Sequence, residues 1–423
     1  MLFTLMIIVF IAGYILIALE HPLKINKSAT AILLAVGLWV LFILSQSDPV
    51  AINKQLLEHL GSISEILFFL LGAMIIVELV DSHEGFRLIT DMIHTTKKVK
   101  LLWIVSLITF FLSAVLDNLT TSIVMIALLR KLISDKRDRW FFGGMVIIAA
   151  NSGGAFSPIG DVTTIMLWIA GHVTSLNIIL KTFLPSLVSL ILPLTVLSFT
   201  LKGNVTKPLK PEKAALQDPT TPLERNLVFF TGIGSLLFVP IFRTITHLPP
   251  YIGILGGLGI LWVMTEIMHR SKNEEYKPKL TVAGVLRKID SSTILFFLGI
   301  LLAVAALESA GHLAMLADAL DKHVGNLYVI NTIIGLLSSV VDNVPLVAGA
   351  MGMYGGAFPT DHYFWEMLAY CAGTGGSILI IGSAAGVAVM GMEKIDFIWY
   401  LKKISLWALL GYLGGALVYW GLS

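Results

Sequence analysis

Long apolar segments alternate with short polar ones along the whole chain. Many of the apolar segments have about 20 residues, the length that a helix needs to cross the hydrocarbon core of a bilayer. We predict ten membrane spans: residues 1–19, 29–44, 64–80, 141–171, 176–201, 225–242, 251–268, 292–307, 363–392 and 397–421. The segments do not alternate as barrel strands do, so the predicted fold class is an all-α polytopic membrane protein. Residues 1–19 lack a basic start and a cleavage site, which predicts a retained first helix.

Four apolar segments are interrupted by polar residues or glycines. Two of them, 141–171 and 363–392, are predicted as broken helices. The other two, 101–133 and 327–353, are too long for one simple span and are broken in the middle. We predict that each of these forms a re-entrant hairpin whose tip lies near the membrane midplane.

The composition agrees with a membrane location. Of the 423 residues, 56% are hydrophobic and only 13% are charged, against about 25% charged in a soluble domain. The lipid bilayer is therefore the predicted environment, and a net charge of +2 gives no indication of a nucleic-acid partner. A single cysteine, Cys371, excludes a disulfide within the chain.

Lysine and arginine predict the orientation of the spans, because loops on the cytoplasmic side carry an excess of both. The proposed inner segments hold 25 of the 29 basic residues: 20–27, 81–100, 130–139, 201–225, 269–288 and 392–403. The proposed outer segments hold the other four, Lys54, Lys181, Arg243 and Lys322. The first hairpin then enters from the inside and the second from the outside.

An internal repeat divides the chain into two halves. Residues 66–69 and 294–297 share the sequence Ile-Leu-Phe-Phe, Asp-Asn occurs at 117–118 and 342–343, and Gly-Gly at 153–154 and 375–376. Each half holds five spans and one hairpin, and an odd number of spans gives the halves opposite orientations. The predicted architecture is an inverted repeat with broken helices, which is typical of secondary transporters.

The first polar motif is the pair of hairpin tips. Ser113, Asp117 and Asn118 in the first half correspond to Ser338, Asp342 and Asn343 in the second. A carboxylate inside a membrane segment is costly and usually functional, and carboxylate, amide and hydroxyl oxygens suit a hard cation. The alternative is that Asp117 lies in an ordinary loop, but its recurrence as Asp342 argues against this.

The second polar motif interrupts the broken helices. Residues 151–164 run from Asn151 through three glycines and a proline to Asp161, Thr163 and Thr164. The repeat partner runs from Gly373 through Thr374 and Ser377 to Ser383. Close helix packing through small residues would explain the glycines but not Asn151 or Asp161.

At these four stretches the chain resembles the NhaD-type sodium/proton antiporters, which belong to the ion transporter superfamily. The resemblance implies a scaffold part, a transport part, a homodimer and an elevator-like motion in the cell (inner) membrane. The scaffold part would comprise residues 1–100 and 225–326, the transport part 101–201 and 327–423, and a cytoplasmic linker 202–224. With Asp342 and Thr374 from the repeat, the predicted ion-binding set is Ser113, Asp117, Asn118, Asn151, Asp161, Thr163, Thr164, Ser338, Asp342, Asn343, Thr374 and Ser377, with Na⁺ at Asp117, Asn118 and Asp161.

The predicted activity is exchange of Na⁺, and also Li⁺, for H⁺ without any cofactor, so the protein is not predicted to be an enzyme. A Na⁺-coupled carboxylate carrier or an arsenite carrier of the same fold is the alternative, although three carboxylates would repel an anionic substrate. An intramembrane aspartyl protease would use two aspartates as acid and base. Its Gly-x-Gly-Asp motif is incomplete at Pro158-Ile159-Gly160-Asp161, and that function would leave the repeat unexplained.

Overall fold

The structure is a computed structural model that describes residues 2–18, 20–46, 48–90, 93, 95–206, 220–270, 272 and 280–422. Apart from one isolated bridge between Lys97 and Asn204, the regular elements of this part of the chain are α-helices. Seven of these helices are long and apolar enough to cross a membrane: Lys27–Ser45, Pro49–Ser82, Ser175–Thr200, Pro222–Thr246, Pro250–Met268, Ser291–Ser309 and Ser405–Leu422. The prediction of an all-α polytopic membrane protein is confirmed.

The remaining helices are shorter. The first helix of the chain, Leu2–Ala18, has 17 residues. Four short helices lie beside the spans: Glu20–Leu23, Arg87–Thr90, Val282–Val285 and His312–His323. Most of the predicted linker 202–224 falls outside the described residues.

Most predicted spans agree with the structure to within a few residues at each end, but two differ more. The span expected at 64–80 is the second half of the 34-residue helix Pro49–Ser82, which starts with an Asp48 cap and a proline in its first turn. Hydropathy located only the apolar half of that helix. The span expected at 397–421 is divided at Ile404 into the helices Phe397–Lys403 and Ser405–Leu422.

The four interruptions fall inside the predicted segments. The first hairpin consists of Lys98–Ser113 and Asn118–Leu132, and the second hairpin of Leu327–Leu337 and Asn343–Tyr354. The first broken helix consists of Lys136–Ala155 and Val162–Ile169, and the second broken helix of Tyr363–Gly375 and Ala384–Glu393. That the hairpins are re-entrant and the halves inverted stays a prediction.

A polar cap starts the helix that follows each interruption. The first backbone N–H groups of a helix have no partner within it, and a capping side chain accepts one of them. Asp117 accepts from the Thr120 N–H (2.8 Å) and Asp161 from the Thr163 N–H (2.9 Å). In the second half, Asp342 accepts from the Val344 N–H (3.2 Å) and Ser383 from the Gly386 N–H (3.1 Å).

Close backbone packing brings each hairpin to a break in the neighbouring broken helix. A Cβ atom on Gly153 would overlap the Phe110 carbonyl oxygen, and one on Gly375 would overlap the Gly335 carbonyl oxygen. Only glycine allows this approach. Each hairpin is therefore held close to the broken helix of its own half.

The helices Lys27–Ser45 and Ser291–Ser309 pack along each other in the predicted scaffold part. The Ser28 hydroxyl donates to the Ser292 carbonyl oxygen at 2.6 Å across this contact. An apolar cluster joins residues 380–408 to the first half of the chain. Most of its members from that half lie in the first hairpin, in the helix Lys136–Ala155 and in residues 190–201. The boundary between scaffold and transport parts stays a prediction.

Candidate ion-binding site

Asp161 lies at the centre of a buried group of polar side chains. Its side chain is 1% exposed, and its two oxygens accept hydrogen bonds from both halves of the chain. Oδ1 accepts from the backbone N–H and the hydroxyl of Thr163, both at 2.9 Å. Thr164 completes the helix start, because its hydroxyl reaches back to the Asp161 backbone.

Asn118, at the tip of the first hairpin, donates to the other oxygen of Asp161. Its Nδ2 lies 2.7 Å from Asp161 Oδ2 and 3.1 Å from Asn151 Oδ1. The Asn151 amide is oriented in turn by Ser383, since its Nδ2 donates to the Ser383 hydroxyl at 3.0 Å. This hydrogen bond joins the first broken helix to the second broken helix.

Asn343, at the tip of the second hairpin, approaches Asp161 from the opposite half of the sequence. Its Nδ2 lies 3.3 Å from Oδ1 and 3.4 Å from Oδ2. We call Asn118, Asn151, Asp161, Thr163 and Asn343 the polar centre. All five are buried, and the hydrogen bonds described for them include no basic side chain.

The polar centre thus places one carboxylate among neutral donors. Burying a charge is costly unless hydrogen bonds replace the lost water, and bonds to a charged group contribute about 1.5–3 kcal/mol each. Hydrogen bonds from neutral groups can thus keep the Asp161 carboxylate inside the protein without a basic side chain bonded to it. A proton or a small cation is the ligand that this chemistry favours.

The other predicted site residues contact backbone around the polar centre. The Ser113 hydroxyl donates to the Ala150 carbonyl oxygen at 2.7 Å, and the Ser338 hydroxyl donates to the Ala372 carbonyl oxygen at 2.8 Å. Thr374 and Ser377 bond to carbonyl oxygens of their own helix region, those of Tyr370 and Thr374. These residues fix the hairpin tips and the second break in place.

Asp117 and Asp342 point to different partners. Both oxygens of Asp117 accept from Thr120, one from its N–H and one from its hydroxyl. Asp342 Oδ2 lies 3.8 Å from Lys27 Nζ, at the start of the helix Lys27–Ser45. Each aspartate precedes an asparagine that contacts Asp161, so both carboxylates lie close to the polar centre without a described hydrogen bond to it.

A cavity of about 790 Å³ opens beside the first hairpin. Its walls include Lys24, Lys27 and Lys288, and also Thr120 and Ala388 from the hairpin and the second broken helix. A narrower cavity of about 50 Å³ shares Thr120 with it and includes Asp117 and Asn118. The larger cavity lies among residues predicted on the inner side, so it would connect that side with the polar centre.

Two residues of this region were missed by the sequence analysis as site residues. Ser383 occupies the repeat position of Asp161, and that correspondence was the only signal for it. Lys27 was counted only among the inner basic residues. Its contact with Asp342 joins residues far apart in sequence, and no local motif marks such a pair.

Discontinuous helices that meet at a buried charged side chain in a multi-pass helical protein are typical of secondary transporters. Comparison with solved structures agrees at the level of the fold. The crystal structure of the YdaH transporter from Alcanivorax borkumensis is similar with a TM-score of 0.59 and 11% sequence identity, over 93% of this chain and 97% of that one.

Sequence comparison defines the family. Residues 14–373 match the family described as citrate transporter. Sodium/proton antiporter 2 of Arabidopsis thaliana is 47% identical over 98% of both chains, and sodium/proton antiporter 1 of the same plant is 49% identical over 98% of this chain and 71% of its own length. The Na(+)/H(+) antiporter NhaD of Vibrio cholerae is 31% identical over 96% of this chain and 89% of its own. The chain belongs to this citrate transporter family, and within it to the NhaD-type sodium/proton antiporters.

Proposed function

We propose that this protein exchanges Na⁺, and also Li⁺, for H⁺ across a membrane. The observation that carries the proposal is the buried carboxylate of Asp161, which accepts from both hairpin tips, while the hydrogen bonds described for it come from neutral groups. The curated relatives that carry the name of sodium/proton antiporter support the same activity.

One carboxylate can accept either a proton or a cation, and each excludes the other. Burial favours the protonated form and a bound cation favours the ionised form. Asn118 and Asn343 each carry an amide oxygen beside the NH₂ group that faces Asp161. Rotation of either amide would present that oxygen to Na⁺, so the first shell of the ion would be Asp161, the two asparagines and nearby hydroxyl or carbonyl oxygens. Asp117, one residue from Asn118, would supply further negative charge.

The route to the site supports alternating access with an elevator-like motion. The 790 Å³ cavity lies between the helices that start at Lys27 and Ser291 on one side and the first hairpin and second broken helix on the other. In the proposed cycle the transport part, 101–201 and 327–423, slides along the scaffold part and carries the polar centre from the inner to the outer side. We also propose a homodimer in the cell (inner) membrane.

A Na⁺-coupled carboxylate carrier is the second candidate, since the matching family is described as citrate transporter. A tricarboxylate would need positive charge or several donors directed at it. The donors of the polar centre are already directed at Asp161, and none of the hydrogen bonds described for it comes from Lys, Arg or His. This arrangement favours a cation over an anion.

Proteoliposomes with an inner pH dye separate the candidates. An acid-inside gradient should collapse when Na⁺ or Li⁺ is added outside, and should persist when K⁺ is added. Uptake of labelled citrate, succinate or arsenite in the presence of Na⁺ should equal that of empty liposomes. If citrate enters with Na⁺ while Na⁺ alone moves no protons, the proposed antiport is wrong.

A further inference from the structure

The contact between Lys27 and Asp342 is the one described ion pair in which a hairpin tip meets the predicted scaffold part. Lys27 Nζ lies 3.8 Å from Asp342 Oδ2, and both side chains are mostly buried, with 27% and 18% of their surface exposed. The ammonium group also lies 4.3 Å from the centre of the Phe296 ring. An aromatic face stabilises a partly desolvated ammonium group.

The scaffold side of this contact is firmly held. Lys27 begins the helix Lys27–Ser45, and its backbone N–H donates to Glu20 at 3.1 Å. The neighbouring residue, Ser28, bonds to Ser292 on the helix that carries Phe296. The ammonium group is therefore positioned by two packed helices, and not by a free loop.

The other side of the contact leads directly to the polar centre. Asp342 caps the second helix of the second hairpin, and the following residue, Asn343, donates to Asp161. A displacement of the hairpin tip that moved Asn343 would also move Asp342 away from the scaffold helix. The ion pair and the polar centre are thus mechanically linked.

We propose that Lys27 is a resident countercharge for Asp342 and forms a latch that stabilises the arrangement with the inner cavity open. When the transport part moves outward, Asp342 leaves Lys27 and the latch breaks. In the inner-open arrangement the charge of Asp342 is balanced by the protein itself, so Asp161 and Asp117 are left to bind the transported ions. The inference rests on the proposed function for the motion, but its test does not depend on which ion is transported.

The test measures how often the inner cavity is open. Ala388 lines the cavity from the second broken helix, so a cysteine at this position in a Cys371→Ser background should react with a membrane-impermeant maleimide from the inner side. Lys27→Gln and Asp342→Asn should each lower the initial labelling rate by up to about fivefold, the change in the opening equilibrium that corresponds to about 1 kcal/mol. The double variant should show no further decrease, because both changes remove the same pair.

Lys24→Gln is the matched control. Lys24 also lines the cavity, three residues before Lys27, but it is exposed and has no ion pair among those described. Its labelling rate should equal that of the parent. If it falls as much as that of Lys27→Gln, the effect comes from the general charge of the cavity and the latch is refuted.

Charge reversal provides a second measurement on the same position. Lys27→Asp places two carboxylates together and should lower labelling further than Lys27→Gln, whereas Lys27→Arg should keep it near the parent rate. Monodisperse elution and an unchanged melting temperature identify variants that fold. Equal labelling in folded Lys27→Asp and parent protein, or additive effects of Lys27→Gln and Asp342→Asn, would overturn the proposal. A parent that labels normally but moves no Na⁺ would refute the proposed function and leave the latch standing.

Discussion

The two halves of the molecule share a backbone arrangement but differ in charge. In each half a serine at the end of a hairpin helix bonds to a carbonyl oxygen of a broken helix, Ser113 to Ala150 and Ser338 to Ala372. In each half a glycine allows backbone contact between the same two elements. The repeat therefore fixes where helices break and how the breaks meet.

Most side chains of the polar centre come from the first half. The helix after the first break is capped by Asp161, whereas the equivalent helix of the second half is capped by Ser383. Asn151 faces Asn118 in the first half, and Gly373 occupies its repeat position. Of the three aspartates at the interruptions, only Asp161 accepts hydrogen bonds from the asparagines at the hairpin tips. In the proposed function, the exchanged charge is that of Asp161, so it arises from the difference between the halves and not from their symmetry.

Removal of that charge should have the largest effect. Asp161→Asn keeps the size and one oxygen but cannot exchange a proton, so Na⁺-dependent proton flux should fall by at least about 100-fold, a range seen when an essential acid–base group is removed. Ser383→Ala at the equivalent position leaves the carboxylate in place and should reduce flux by less than about tenfold. Proton flux in proteoliposomes measures both. Comparable losses in the two variants would show that the halves contribute equally.

Substitutions at the backbone contacts should have equal effects in both halves, unlike the substitutions of Asp161 and Ser383. Gly153→Ala and Gly375→Ala each force a methyl group against a carbonyl oxygen, and overpacking costs about 1–3 kcal/mol. Both variants should lower the melting temperature in detergent, which fluorescence of a thiol-independent dye can follow. Gly391→Ala is the control, because no atom lies within 4 Å of its new methyl group. It should leave stability unchanged or raise it by up to about 1 kcal/mol.

The breaks were predictable from the sequence because each one combines polar residues or a glycine pair with a counterpart in the other half. Glycines alone do not mark a break, since the helix Pro250–Met268 holds four of them and stays continuous. Asp117, Asp161 and Asp342 all cap helices at predicted interruptions. The split at Ile404 was missed, since no glycine or proline marks it and hydropathy averages over it. The extension of the helix Pro49–Ser82 beyond the apolar segment was missed for the related reason that a polar helix gives no hydropathy signal.

The composition of the polar centre was predictable, but its contacts were not. Motifs identified Asn118, Asn151, Asp161, Thr163 and Asn343, and the structure joins all five by hydrogen bonds. The same motifs do not distinguish Asp161 from Asp117 or Asp342, because all three are capping aspartates in apolar surroundings. Their partners lie on other helices, and only packing decides which carboxylate meets the two asparagines.

Substitution of Asp117 also tests the charge difference between the halves, and its expected effect is smaller than that of Asp161→Asn. Asp117→Asn keeps a good helix cap but removes negative charge beside Asn118, so the apparent affinity for Na⁺ should fall by about tenfold, or about 1.4 kcal/mol. Na⁺ titration of proton flux measures this change. Asp48→Asn makes the same substitution at an exposed cap of the helix Pro49–Ser82 and should leave the affinity unchanged. If the Na⁺ affinity of Asp117→Asn equals that of the parent, then Asp117 contributes no charge to Na⁺ binding and Asp161 supplies it alone.

The two serines at the hairpin tips should give the smallest and most equal effects. Ser113→Ala and Ser338→Ala each remove one buried hydroxyl that donates to a carbonyl oxygen, at 2.7 and 2.8 Å, and a buried hydrogen bond contributes about 1 kcal/mol. The melting temperatures should therefore fall slightly and by similar amounts. Ser62→Ala, at an exposed position on a helix, should leave the melting temperature within error of the parent. If Ser113→Ala also weakens the apparent Na⁺ affinity while Ser338→Ala does not, the Ser113 oxygen belongs to the ion site, and the difference between the halves extends from charge to neutral ligands.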